Sequence, residues 1–150
     1  MIPLQRIVFD TASFVAAVRS SDGAAGQILR LIFQKKIVPL MDLKLGLEYR
    51  DVALRPEHLA ASQLTADEML EVIEAVEAVA ESVKVVESHR PMSPDQNDDM
   101  ILDIAINGRA DALVTNNIRH FTAAGKRYGI PVILPSELLR RMREESKNGK

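Results

Sequence analysis

The stretch Arg6-Ile7-Val8-Phe9-Asp10-Thr11 decides the fold. Its β-branched and aromatic residues run without polar alternation and stop on a carboxylate, the pattern of a parallel strand buried on both faces. Thr11 to Ser20 then reads as a small-residue helix, which puts Asp10 at the carboxyl end of a strand and the entry of a helix. Outward from this unit, strand and helix signals keep alternating. After the Ser21-Asp22-Gly23 turn a helix is expected from about Ala24 to Gln34, and Ile37-Val38-Pro39-Leu40 is a strand candidate. Its Pro39 argues for a sheet edge or a strand end. In Met41 to Leu54, Leu43, Leu45 and Leu47 alternate like a strand, whereas Leu43, Leu47 and Leu54 suit a helix ending before Pro56; the helix is the reading adopted. Thr65 and Glu68 form a capping-box pattern, and Met69, Val72, Ile73, Val76, Val79, Ala80 and Val83 follow at helical spacing.

Val83 to Val86 is a short strand candidate, and His89 to Asn97 is a loop by composition. Asp98 to Asn107 returns to helix and stops at Gly108, and Ala112-Leu113-Val114-Thr115 repeats the buried-strand pattern. A short helix through Phe121, a strand from Ile130 to Leu134 and a helix from Pro135 or Ser136 to about Arg143 complete the domain, taken as residues 1–143 with a frayed tail over 144–150. Strands separated by helices predict an α/β fold with a mostly parallel sheet of about five strands.

Composition narrows the chemistry. With 47% hydrophobic and 27% charged residues, the chain has the balance of a globular domain rather than a disordered one. The absence of cysteine removes disulfides, thiolate metal sites and cysteine nucleophiles, and three scattered histidines leave oxygen as the main metal donor. A formal net charge of −2 leaves nucleic acid to a local basic rim. No apolar stretch approaches the roughly 20 residues of a membrane span, and no secretion signal is evident, so a soluble, cytoplasmic protein is expected.

In open α/β sheets, ligands bind beyond the carboxyl ends of the strands. Asp10-Thr11 and Thr115-Asn116-Asn117 follow the two clearest strands, Asp98 stands at a helix start, and Glu48 is a fourth candidate on its helix. Each has a bland explanation: Asp98 as a helix-start charge, Glu48 as a solvated one, the Thr-Asn-Asn run as a turn and cap. Their joint placement points further. Carboxylates gathered without partners repel one another, and a hard cation such as Mg²⁺ or Mn²⁺ relieves that repulsion. No glycine-rich phosphate loop follows a strand and no Gly-x-Ser-x-Gly elbow is present, which demotes nucleotide binding and serine hydrolysis.

These segments resemble the PIN-domain ribonucleases, in particular the VapC-like toxins of bacterial toxin–antitoxin systems. The resemblance rests on Ile7 to Thr11, Leu47 to Val52 with Arg55-Pro56, Asp98 to Ala105, Ala110 to Asn117, and Gly129 to Val132 with Pro135 to Leu138. It implies a three-layer α/β/α fold in which Asp10, Glu48 and Asp98 hold Mg²⁺ or Mn²⁺ and, with Asn117, carry catalysis. Thr11 and Thr115 fall on the neighbouring hydroxyl positions, with Asn116 supporting them. Asn117 and His120 stand where further acids are frequent, and Ala12 where the family usually has asparagine. The implied activity is metal-assisted endonucleolytic cleavage of RNA, restrained by an antitoxin protein and carried out by a chain that can dimerise. Arg119, two positions past the site loop, is the first candidate for the RNA backbone, with His120 beside it. The alternative is a PIN-like module that binds RNA or protein without cutting.

Overall fold

The strand that opens the sequence, β1 (Gln5–Phe9), leads directly into the helix α1 (Thr11–Arg19), and Asp10 is the single residue between them. This computed structural model describes residues 5–86 and 96–148. After α1 come α2 (Ala24–Phe33), β2 (Ile37–Met41), α3 (Leu43–Ala53), α4 (Pro56–Ser62), α5 (Ala66–Val79) and β3 (Glu81–Ser82). The second stretch contains α6 (Gln96–Asn107), β4 (Ala112–Val114), α7 (Ile118–Tyr128), β5 (Val132–Ile133) and α8 (Pro135–Asn148).

Every strand pairing is parallel, and the order is β3-β2-β1-β4-β5. The chain therefore winds outward from β1 through β2 to β3, then returns to place β4 on the other side of β1. That reversal makes the crevice between β1 and β4 the topological switch point of the sheet. β1 and β4 pair as Ile7↔Ala112, Val8↔Leu113 and Phe9↔Val114, all buried, as a sheet covered on both faces requires. α6 packs on β1, β2 and β4 and against α7, while α1, α2, α3 and α5 pack among themselves. The fold is the expected α/β/α arrangement of the PIN type.

Local chemistry explains most boundaries. Thr65 accepts from the Glu68 N–H at 3.1 Å while the Glu68 side chain accepts from the Thr65 N–H at 2.9 Å, the reciprocal capping box that opens α5. Asp42 caps α3 by accepting from the Leu45 N–H at 2.8 Å. Gly26 lets the start of α2 close on the end of α1: a Cβ there would stand 2.3 Å from the Ser20 carbonyl oxygen.

Several expectations change. Pro39 is at the middle of β2, one strand in from the edge; β3 begins only opposite Leu40, so no β3 residue pairs with the proline that has no N–H to donate. The buried stripe of α3 is Leu45, Tyr49 and Ala53, whereas Leu43 and Leu47 are exposed. The strand foreseen over Val83–Val86 is instead Glu81–Ser82, because pairing with Leu40 and Met41 sets its register. α5 accordingly stops at Val79, before Val83. The short α4 was not foreseen, although Pro56 at its first turn is a usual opening signal. α6 begins at Gln96, ahead of Asp98; the rest of the loop expected over 89–97 lies outside the described residues. α7 runs well past Phe121 to Tyr128, where Gly129 closes it at φ 72°. The last strand shortens to Val132–Ile133, and α8 continues beyond Arg143 to Asn148, so residues 144–148 are helical where a frayed tail was expected. Among the described residues no helix is long and apolar enough to cross a membrane.

Candidate functional site

The site begins with backbone geometry at the end of β1. Asp10 leaves the strand in an extended conformation, φ −67° and ψ 161°, and becomes the N-cap of α1. One carboxylate oxygen, Oδ1, accepts from the Ser13 N–H at 3.0 Å. The other, Oδ2, accepts from the Thr115 hydroxyl at 2.7 Å, a bond that spans the crevice between β1 and β4. Thr115 is fully buried, and its oxygen also accepts from the Asn117 N–H at 2.9 Å, so its hydroxyl proton is committed to Asp10. Asp10 itself is only 5% exposed. Among the described residues its hydrogen-bond donors are all neutral, and no Lys, Arg or His side chain is paired with it.

Tyr49 stiffens the same strand end from α3. Its ring stacks on Phe14 with centroids 4.4 Å apart and planes 5° from parallel, and its hydroxyl donates to the Phe9 carbonyl. Burial, and then the nearby Asp10 charge, push the Tyr49 hydroxyl far above its ordinary pKa, so it acts as a neutral donor. Ser13, wholly buried, keeps a hydroxyl with no hydrogen-bond partner among the described residues, one turn into the helix that Asp10 caps.

A second set of contacts lies further out. Asn117 occupies the N-cap position of α7, yet its side chain makes no capping bond and the residue is exposed. Its carbonyl accepts from the His120 N–H at 3.0 Å, and His120 Nδ1 lies 3.2 Å from Asp98 Oδ2. A bonded path therefore connects Asp10 through Thr115, Asn117 and His120 to Asp98. The Asp98 side chain, 17% exposed, projects from the first turn of α6. Glu48 is half-buried on α3, one position before Tyr49, and Thr11 is half-buried at the start of α1. Asn116 and Arg119 are exposed. The direct bonds thus unite Asp10, Thr115 and Asn117, and join Asp98 to His120. Among the described residues no three His, Asp or Glu side chains form a group that could hold a metal ion.

Two acidic residues on α6 escaped the sequence reading as site candidates. Asp99 and Asp103 are each 2% exposed, four positions apart, inside a run in which Met100, Ile101, Leu102, Ile104 and Ala105 are also buried. Their four-residue spacing, which puts both acids on one face of the helix, was the available signal.

The PIN domain family matches residues 6–119, from β1 into the start of α7. The chain belongs to the PIN-domain family. PIN domains are in general nucleases, acting on nucleic acid and typically using divalent metals. No curated protein matches the chain. In this PIN domain the donor chemistry fits a hard cation: among the described residues each Asp10 oxygen accepts one hydrogen bond from a neutral donor and keeps lone-pair capacity, and the remaining candidates offer carboxylate and amide oxygens.

Proposed function

We propose that this PIN domain is a Mg²⁺- or Mn²⁺-dependent endoribonuclease and the toxin of a toxin–antitoxin pair. The observation that carries the nuclease reading is Asp10: a buried carboxylate at the switch point of the sheet, oriented by neutral donors and paired with no cation among the described residues. Taking a carboxylate out of water costs several kcal/mol unless positive charge compensates it. A divalent cation supplies that compensation, and Asp10, Glu48 and Asp98 are the residues that would hold it, with the Asn117 amide oxygen as a neutral ligand or a partner for water. Bound there, such an ion would render a water more acidic and offset charge on the leaving oxygen of a phosphodiester.

The chain's own groups do the positioning. Thr115 fixes one Asp10 oxygen and the Ser13 amide the other, so the carboxylate plane is set by β4 and α1 together. Tyr49 holds the carbonyl just before Asp10, and His120 holds Asp98. Arg119, exposed two residues beyond Asn117, would be the first cation to meet an RNA phosphate.

The deciding experiment is cleavage of labelled single-stranded RNA with Mn²⁺ or Mg²⁺, against EDTA and against Asp10→Asn and Asp98→Asn. Metal-dependent cleavage lost in both variants supports the reading; cleavage that survives EDTA or Asp10→Asn overturns it. The toxin role and the antitoxin partner rest on family resemblance, and their test is growth arrest on production of the wild type and normal growth with Asp10→Asn. One observation favours a second reading, a PIN-fold module that binds RNA or protein without cutting: the described residues close no three-acid group. The same assay separates the two, because such a module retains RNA in a binding assay and cleaves none with either metal.

A further inference from the structure

At the opposite edge of the sheet from Asp10, α2 and α8 enclose a groove of about 340 Å³. Its position follows from the chain: Lys36 lines it and immediately precedes β2, and Glu145 of α8 accepts from Gln5, the first residue of β1, at 3.2 Å. Leu31, Leu139 and Met142 supply an apolar floor, and Arg30, Lys36 and Arg143 supply a cationic rim. Among the described residues no acidic side chain lines the groove.

Like Arg19, Lys44, Arg119 and Lys126, the cations of that rim are not engaged in ion pairs among the described residues. Arg6, Arg50, Arg55, Arg140 and Arg141 each meet a carboxylate. Among the described residues Arg30, Lys36 and Arg143 meet none; Arg30 donates only to the Ser21 carbonyl, at 3.3 Å. Three exposed cations without counter-charges thus surround one apolar floor, on a chain whose net charge is −2. We propose that this groove docks an acidic amphipathic segment of a partner protein, a helix that lays one or two large apolar side chains on Leu31, Leu139 and Met142 and presents Asp or Glu to the rim. The volume suits side chains seated in a groove, and the arrangement is that of helix-in-groove recognition. The apolar floor is what argues for a peptide over RNA, because a phosphate backbone uses the cations and leaves the floor wet. The proposal is independent of catalysis, since the groove and Asp10 lie at opposite strand ends.

The test is selection from a display library of random peptides, roughly 15 residues or about four helical turns long, on the wild type and on the triple variant Arg30→Glu, Lys36→Glu, Arg143→Glu. All three positions are exposed, so the variant should keep the wild-type circular dichroism spectrum and melting temperature. The expected result is enrichment of peptides with Asp or Glu flanking Leu, Ile, Phe or Met at helical spacing, binding the variant at least about tenfold more weakly, as three lost charge pairs imply. Selected peptides without acidic enrichment, peptides that bind both proteins equally, or no enrichment over the bare support would overturn it. So would a charge reversal that weakens a single-stranded RNA oligonucleotide and no peptide, or one that abolishes self-association in sedimentation and no peptide binding; those results assign the groove to RNA or to a second copy. Asp10→Asn should leave peptide binding unchanged, which keeps failure of the nuclease reading distinct from failure of this one.

Discussion

Arg6 and Asp10 stand at the two ends of the same strand, and their surroundings differ in kind. Arg6 forms an ion pair with Glu81 and donates to the Gly108 and Arg109 carbonyls at 2.8 and 3.0 Å, while its own N–H reaches Asp111 at 2.8 Å. That charge ties β1 to β3 and to the turn before β4. Asp10 is more deeply buried, yet only neutral donors reach it among the described residues. A charge whose purpose is structural is neutralised by its own fold, whereas Asp10 is oriented by the fold with no cationic partner among the described residues. The comparison predicts that changes at the Asp10 end alter function more than stability, and changes at the Arg6 end the reverse.

The largest expected effect is at Asp10. Asp10→Asn keeps an acceptor for the Ser13 amide and should fold, yet lose metal-dependent cleavage by a hundredfold or more, about 3 kcal/mol of barrier. Mn²⁺ should raise the melting temperature of the wild type and leave that of the variant unmoved. Arg6→Met sharpens the contrast from the other end: removal of its charged hydrogen bonds should lower stability by about 2 kcal/mol in urea titrations, with the cleavage rate of the folded protein unchanged. Equal loss of cleavage in Arg6→Met would break the comparison. Tyr49→Phe retains the stack on Phe14 and removes the bond to the Phe9 carbonyl; about 1 kcal/mol of stability should go, together with a several-fold weaker Mn²⁺ affinity by calorimetry.

The smallest effect tests whether structural charge pairs behave alike away from β1. The Arg50 guanidinium forks onto Glu77 at 2.7 and 2.8 Å and, through that hydrogen bond first, holds its carboxyl below the ordinary range. A lowered folded pKa means the pair's contribution is fully present above the unfolded value, about pH 4.3, and is lost as pH falls through the folded one. Glu77→Gln should therefore cost under about 1 kcal/mol near neutrality, and its stability curve should merge with that of the wild type in stronger acid.

The sequence made the Asp10 end more legible than its neighbours, for physical reasons. A buried parallel strand has an unmistakable apolar run, and the residue that ends it must sit at the sheet's carboxyl edge, so β1 and Asp10 could be read directly. The Thr65–Glu68 box was equally local. β3 was misplaced because Val83 to Val86 has the stronger β-forming composition, whereas pairing to Leu40 and Met41 is a non-local decision. The buried face of α3 was misjudged because Leu43, Leu45 and Leu47 are chemically equivalent, and only the packing of Tyr49 on Phe14 selects among them. Asp99 and Asp103 were hidden by a similar ambiguity: acids early in a helix read as solvated until the helix is seen to be buried on nearly every side.

The cap that Asp10 places on α1 has a spectroscopic consequence. The Ser13 amide proton points at the oxygen that a cation would share, so its NMR resonance is a natural gauge of charge on that oxygen. Mn²⁺ would broaden it through proximity, and Mg²⁺ would shift it by drawing electron density away. A single backbone amide would thus report whether an ion arrives at Asp10.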